Sequence, residues 1–177
     1  MIINKYKKTK CINGCEIFND ESRYLYWESK KATTDEIEIV SFLNTNIINK
    51  NSKILHVGIG NSYIATNLKG NSNIDGISIS SNEIKYANSL NLKNYNIFFL
   101  NKYSHDALNI LSTSKYDLII DVNLKSFACC NGAFENLFLN YVSLLNDSGN
   151  IFTGKKGMNW SRIVKPVFSF SPIKFFY

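Results

Sequence analysis

Proline is nearly absent from this chain, with two residues in 177, and glycine is modest at nine. That composition excludes collagen-like and proline-rich architectures. No run of about 18 uninterrupted apolar residues occurs, so no segment has the length to span a bilayer as a helix. Charged residues are also few, at 19%, against 45% hydrophobic and 14% aromatic residues. This balance supplies enough apolar surface to offset the ordering entropy and argues against disorder. Cysteine is limited to Cys11, Cys15, Cys129 and Cys130. They lack the repeated C-x-x-C spacing that surrounds zinc with thiolates, and no metal site is expected. Adjacent Cys129 and Cys130 are poorly placed to bridge each other, so four thiols are expected. The first residues lack the apolar stretch of a signal peptide, and the expected location is the cytoplasm.

The length sits within the range of about 100–200 residues of one domain. The net charge of +6 comes from lysines scattered among Asn, Ile, Phe and Tyr, with only Lys5, Lys7, Lys8 and Lys10 clustered. A solvated basic surface is the expected reading, and nucleic acid is not an expected partner. Asn13-Gly14 and Asn19-Asp20 are turn signals in a polar stretch. Residues 1–22 are therefore read as a partly ordered basic arm, and residues 23–177 as the folded domain. Oligomeric state is not legible in the sequence.

Thr34, followed by Asp35 and Glu36 and then Ile37, Ile39, Val40, Phe42 and Leu43, predicts an N-cap, an acidic first turn and a helix of about ten residues. At Lys53 the period changes. Ile54, Leu55 and Val57 form a short apolar strand that ends in Gly58-Ile59-Gly60-Asn61-Ser62 and enters a helix at Tyr63. The alternation repeats, with strands at 74–79, 96–100, 116–122 and 150–153 and helices at 82–90, 107–111 and 134–145. Strands alternating with helices predict an α/β, Rossmann-like, doubly wound and mostly parallel sheet in a single domain. The β-rich pieces 163–170 and 173–177, separated by Pro172, are read as an edge hairpin at the C-terminus.

In such a sheet ligands bind beyond the carboxyl ends of the strands, where a glycine turn admits a cofactor to the backbone. Gly58 and Gly60 stand in that turn. The third glycine of the dinucleotide fingerprint and the Gly-Lys-Ser/Thr of a P-loop are both missing, which disfavours NAD and nucleoside triphosphates.

The segment Ile54-Leu55-His56-Val57-Gly58-Ile59-Gly60-Asn61-Ser62 resembles motif I of class I S-adenosylmethionine-dependent methyltransferases. Gly76-Ile77-Ser78-Ile79-Ser80-Ser81-Asn82-Glu83 resembles the second-strand motif of the cyclopropane fatty acid synthase and sterol methyltransferase branch. The resemblance covers roughly residues 24–154 and implies S-adenosylmethionine as cofactor. Gly58, Gly60 and Asn61 would lie under its methionine portion, Ser62 would also contact it, and His56 would be a cofactor-side or core hydrogen-bonding histidine. Ser78 and Glu83 fall where that branch has a threonine and a glutamine at the ribose, and Tyr103 falls beside the adenine. Most family members carry an acid in place of His56, a third glycine in place of Ser62 and an acid in place of Ser78. The acid that contacts the adenine amino group has no counterpart in Asn101-Lys102-Tyr103.

The implied activity is methyl transfer to a small polar acceptor by in-line displacement, which needs alignment and exclusion of water more than acid–base machinery. Asp121 and Asn123 would face the sulfonium and acceptor, and His105 is the candidate base if the acceptor must lose a proton. Residues 1–30, with Tyr24, Tyr26 and Trp27, are expected to close over the cofactor and form part of the acceptor pocket. The alternative is a chain that keeps the fold as a non-catalytic binding or scaffold module. Acceptor identity, the methylated atom and the need for a base are not legible in the sequence.

Overall fold

The computed structural model describes residues 24–46, 51–124, 131–154 and 173–176. The arm expected over residues 1–22 and the tail piece 163–170 lie outside them. The described elements are α1 (Tyr24–Ser29), α2 (Thr34–Asn46), β1 (Lys53–Val57), α3 (Tyr63–Asn67), β2 (Asn73–Ser78), α4 (Ser81–Ser89) and β3 (Tyr95–Phe99). They continue with α5 (His105–Leu111), β4 (Tyr116–Ile120), α6 (Asn131–Leu144), β5 (Leu145–Gly154) and β6 (Ile173–Phe176).

The strands form one six-stranded sheet in the order β3-β2-β1-β4-β5-β6, and every pairing in it is parallel. The order reverses between β1 and β4, which makes their carboxyl ends the crevice of a doubly wound sheet. The tail strand β6 is the second piece of the expected hairpin. It lies parallel to β5, from Ile151↔Ile173 to Gly154↔Phe176.

Strands buried on both faces read as nearly continuous apolar runs, as in Lys53–Val57 and Tyr116–Ile120. Their alternation divides the core in two. Ile54, Ile74, Leu118, Ile120 and Phe152 meet Ile39, Val40 and Leu43 of α2 and Ile64 of α3. Leu55, Val57, Ile77, Ile119 and Ile151 face Leu111 of α5 and Phe134, Leu137, Tyr141 and Leu144 of α6. Gly76 lies in the middle of β2, where a Cβ would come within 2.7 Å of the Tyr95 ring and 2.9 Å of the Ile59 side chain. Only a hydrogen fits there.

Several boundaries differ from the sequence reading. Thr33, not Thr34, caps α2: its Oγ1 accepts from the Glu36 amide at 3.3 Å, and Glu36 Oε2 accepts from the Thr33 amide at 2.7 Å. This reciprocal capping box starts a helix of 13 residues. Ser104 caps α5 by accepting from the Ala107 amide, so that helix starts at His105. α1 has no counterpart in the sequence reading. Six residues are too few for a helix to persist alone, and α1 is held by packing on α4 and by burial of Trp27.

Toward the amino ends of the strands, Asp75 Oδ2 accepts from the Tyr116 hydroxyl at 2.9 Å and lies 3.3 Å from Lys53 Nζ. Its Oδ1 accepts from Asn96 Nδ2 at 2.9 Å. This buried carboxylate links β1, β2, β3 and β4 at the end of the sheet away from the crevice.

Candidate functional site

The turn after β1 is built from left-handed residues: Gly58 at φ 70°, Gly60 at φ 52° and Ser62 at φ 58°. A side chain in that region costs about 1–2 kcal/mol, which glycine avoids. The Gly58 amide donates to the Ile77 carbonyl at 2.9 Å and the Ser62 amide to the Ile59 carbonyl at 2.7 Å, pinning the turn to β2 and closing it. Nothing lies within 4 Å of a Cβ placed on Gly58, so its outer face is open. On Gly60 a Cβ would meet the Trp27 ring at 3.8 Å and Glu36 Oε1 at 4.0 Å. Ser62 bears its left-handed strain without a third glycine, and its buried hydroxyl lies 3.4 Å from the Tyr95 hydroxyl. Burial, the largest influence on Tyr95, pushes that phenol well above its usual range.

The two residues expected at the ribose come together. Ser78 Oγ donates to Glu83 Oε2 at 2.6 Å, and the Gly60 amide donates to the same oxygen at 3.1 Å. Ser80 caps α4 by accepting from the Glu83 amide at 3.2 Å. In a complete capping box the Glu83 side chain would return to the Ser80 amide. Here Ser78 Oγ takes that amide at 2.9 Å, and the Glu83 carboxylate turns instead to the glycine turn.

Asn61 spends its side chain on the protein. Its Nδ2 donates to the Lys30 carbonyl at 2.6 Å and its Oδ1 accepts from the Tyr63 amide at 3.2 Å. The segment between α1 and α2 is thereby tied to the glycine turn. Trp27 is buried while Tyr26 is half exposed, with ring centroids 4.9 Å apart and Lys30 Nζ 4.4 Å from the Trp27 ring centroid. Trp27 therefore stands beside the turn at Gly60, with Tyr26 packed edge-on against it.

His56 lies on the α2 and α3 face of β1, in register with Gly76 and Ile120. It is wholly buried, and neither ring nitrogen has a hydrogen-bond partner. Burial alone lowers its pKa to about 3, so the imidazole is neutral.

Beyond the β3 exit, Asn101 is buried and its Oδ1 accepts from the Tyr103 amide at 3.0 Å. Tyr103 is partly buried against the α5 and α6 core. Asp121, 1% exposed, forms a salt bridge of 2.8 Å with Lys102. Its Oδ2 also accepts from the Tyr141 hydroxyl at 2.9 Å, and its Oδ1 accepts from the Asn123 amide at 3.1 Å. Burial first, then the Asp121 charge, raise the Tyr141 phenol well above its ordinary value. Asn123 is exposed at the β4 exit, and His105 is the first residue of α5, its side chain outside the described ones.

Sequence reasoning missed Lys102, Glu36 and Tyr141. The Thr33-x-x-Glu36 spacing of a capping box was a usable signal for Glu36. The pairing of Lys102 with Asp121, 19 positions apart, had none. Among the described residues no cluster of three potential metal ligands occurs, and no helix is long and apolar enough to cross a membrane.

No protein-family model matches the chain, and no curated protein matches it in sequence. Solved structures do match in fold. The CcbJ methyltransferase from Streptomyces caelestis aligns at 14% identity with a TM-score of 0.56, over 75% of this chain and 57% of its own. Coclaurine N-methyltransferase, solved with N-methylheliamine and SAH, aligns at 16% identity and a TM-score of 0.53, over 86% of this chain and 42% of its own. The plantazolicin methyltransferase BamL, solved with a triazolic desmethylPZN analog and SAH, aligns at 20% identity and 0.52, over 72% and 48%. This chain thus spans about half the length of these structures. At such identities the likeness establishes the fold, and the chain has the Rossmann-like α/β fold of these methyltransferases.

Proposed function

We propose that the protein is an S-adenosylmethionine-dependent methyltransferase acting on a small polar acceptor. The observation that carries this reading is the Glu83 carboxylate. It reaches from α4 to the Gly60 amide and Ser78 hydroxyl beside the open face of Gly58, at the carboxyl ends of β1 and β2. The residues present fit the group, because the space over Gly58 is one that any side chain would fill and the turn is already held in its left-handed form.

When bound there, S-adenosylmethionine would supply an activated methyl group for transfer to an acceptor. Gly58 and Gly60 admit the methionine portion to the backbone, with Asn61 and Ser62 fixing the turn and His56 neutral on the strand that leads into it. Glu83 accepts from the ribose hydroxyls. Ser78, whose proton is engaged with Glu83, orients that carboxylate. Tyr103 supplies a ring for the adenine. Trp27 and Tyr26 wall the acceptor side and exclude water. Asn123 and Asp121 belong to the β4 exit loop that faces the acceptor, and His105 is our candidate base for an acceptor that must lose a proton. The resemblance of the second-strand motif to the cyclopropane synthase branch supports the ribose assignment.

A second reading, a binding module without catalysis, is favoured by one feature: Ser78, Glu83 and Gly60 already satisfy one another. Calorimetric titration with S-adenosylhomocysteine tests the first reading. Binding in the micromolar range is expected, and no heat at millimolar ligand would leave only the second.

A further inference from the structure

The exits of β3 and β4 are joined by a single ammonium. Lys102 Nζ lies 2.8 Å from Asp121 Oδ2, 2.8 Å from the Asn123 carbonyl oxygen and 3.3 Å from that of Leu124. A lysine ammonium has three N–H donors, and these three acceptors engage all of them. The side chain is 11% exposed and its partner carboxylate 1%. In this arrangement Lys102 has no proton left to offer a ligand.

Asp121 is similarly engaged. It accepts from Lys102, from the Tyr141 hydroxyl and from the Asn123 amide. Pairing the two charges would satisfy electrostatics alone. The bonds to carbonyls two and three residues beyond the acid do more, because they fold the main chain of residues 121–124 around the ammonium. The same Nζ lies 5.2 Å from the Tyr103 ring centroid, and the Tyr103 hydroxyl donates to the Leu124 carbonyl at 3.5 Å. The ring expected at the adenine and the loop expected at the acceptor therefore share one anchor.

We propose that Lys102 is a positioning residue whose three-point ammonium sets the shape of the 121–124 loop and the placement of Tyr103, with Asp121 as its counter-ion. The effect on ligand binding rests on the cofactor reading above. The effect on the loop does not. Every N–H of the ammonium is committed and the carboxylate is enclosed, so proton transfer is assigned to neither.

The test compares the wild type with Lys102→Arg and with the double variant Lys102→Met/Asp121→Asn, which removes both charges and leaves neither buried alone. S-adenosylhomocysteine affinity, melting temperature and amide hydrogen exchange over residues 121–124 are measured on each. The double variant is expected to fold and to melt near the wild type, yet to bind about tenfold more weakly and to exchange faster over 121–124. Lys102→Arg keeps the charge, but a planar guanidinium does not present three tetrahedral donors. It is expected to recover the melting temperature and only part of the affinity. Wild-type affinity and exchange in the double variant would overturn the proposal, as would affinity that follows melting temperature alone across the set. If the wild type binds no S-adenosylhomocysteine, the cofactor reading falls and exchange decides alone: faster exchange sustains the tie, and unchanged exchange ends it.

Discussion

Two carboxylates stand at opposite sides of the crevice, Glu83 at the β1 and β2 exits and Asp121 at the β4 exit, and the protein treats them differently. Asp121 is enclosed with a lysine, a phenol and an amide. Glu83 Oε2 is held by neutral donors, the Ser78 hydroxyl and the Gly60 amide, on a turn whose neighbour Gly58 opens outward. A charge locked against a counter-charge in the interior holds the fold, whereas a carboxylate held by neutral groups at an open turn can meet hydroxyls from outside. This difference separates the corner that holds the β4 exit loop from the corner proposed to bind the cofactor.

The largest expected effect breaks the first corner. Lys102→Met leaves the Asp121 charge buried without its partner, and losing one member of a buried pair costs about 3–5 kcal/mol. Chemical denaturation should show that loss, and adding Asp121→Asn should recover most of it. The corresponding change at the second corner, Glu83→Ala, should lower stability far less, by about 1 kcal/mol as hydrogen bonds to the turn are lost.

The second corner breaks in binding. Gly60→Val forces a β-branched residue to φ 52° beside Trp27. We expect a folded protein, by circular dichroism, with no measurable S-adenosylhomocysteine binding. Glu83→Ala should weaken binding by about tenfold or more, because an acceptor of charge-assisted bonds contributes about 1.5–3 kcal/mol.

The last effect is confined to acid and concerns His56, on the strand that leads into that turn. Burial lowers the His56 pKa to about 3, while an unfolded imidazole titrates near about 6.5. Between these values the unfolded chain binds more protons. The stability contributed by neutral His56 is therefore complete above about pH 6.5 and declines by up to about 1.4 kcal/mol per pH unit below it. His56→Leu should flatten the melting profile between about pH 6.5 and 4.

The sequence foretold the second corner better than the first, for physical reasons. The change of period at Lys53, the two glycines and the five-residue step from Ser78 to Glu83 are local, and a strand end followed by a helix start brings such residues together. The joining of Lys102 to Asp121 and Tyr141 depends on β3 and α6 converging on the β4 exit, and no local pattern encodes it. α1 escaped notice because six residues show no period and its order comes from Trp27 and α4. The early start of α5 and the long β5 are boundary effects, set by the Ser104 cap and by pairing with β4 more than by apolar spacing. The parallel placement of β6 on β5 likewise follows from tertiary pairing across a long separation in the chain.

The claim that the Glu83 corner binds a cofactor is tested most directly by titrating S-adenosylhomocysteine into the wild type and Glu83→Ala in one calorimetric series. The account predicts one site per chain in the wild type and an affinity at least about tenfold weaker in Glu83→Ala, with both proteins folded. Equal affinities in the two proteins, or no binding to either, would contradict it.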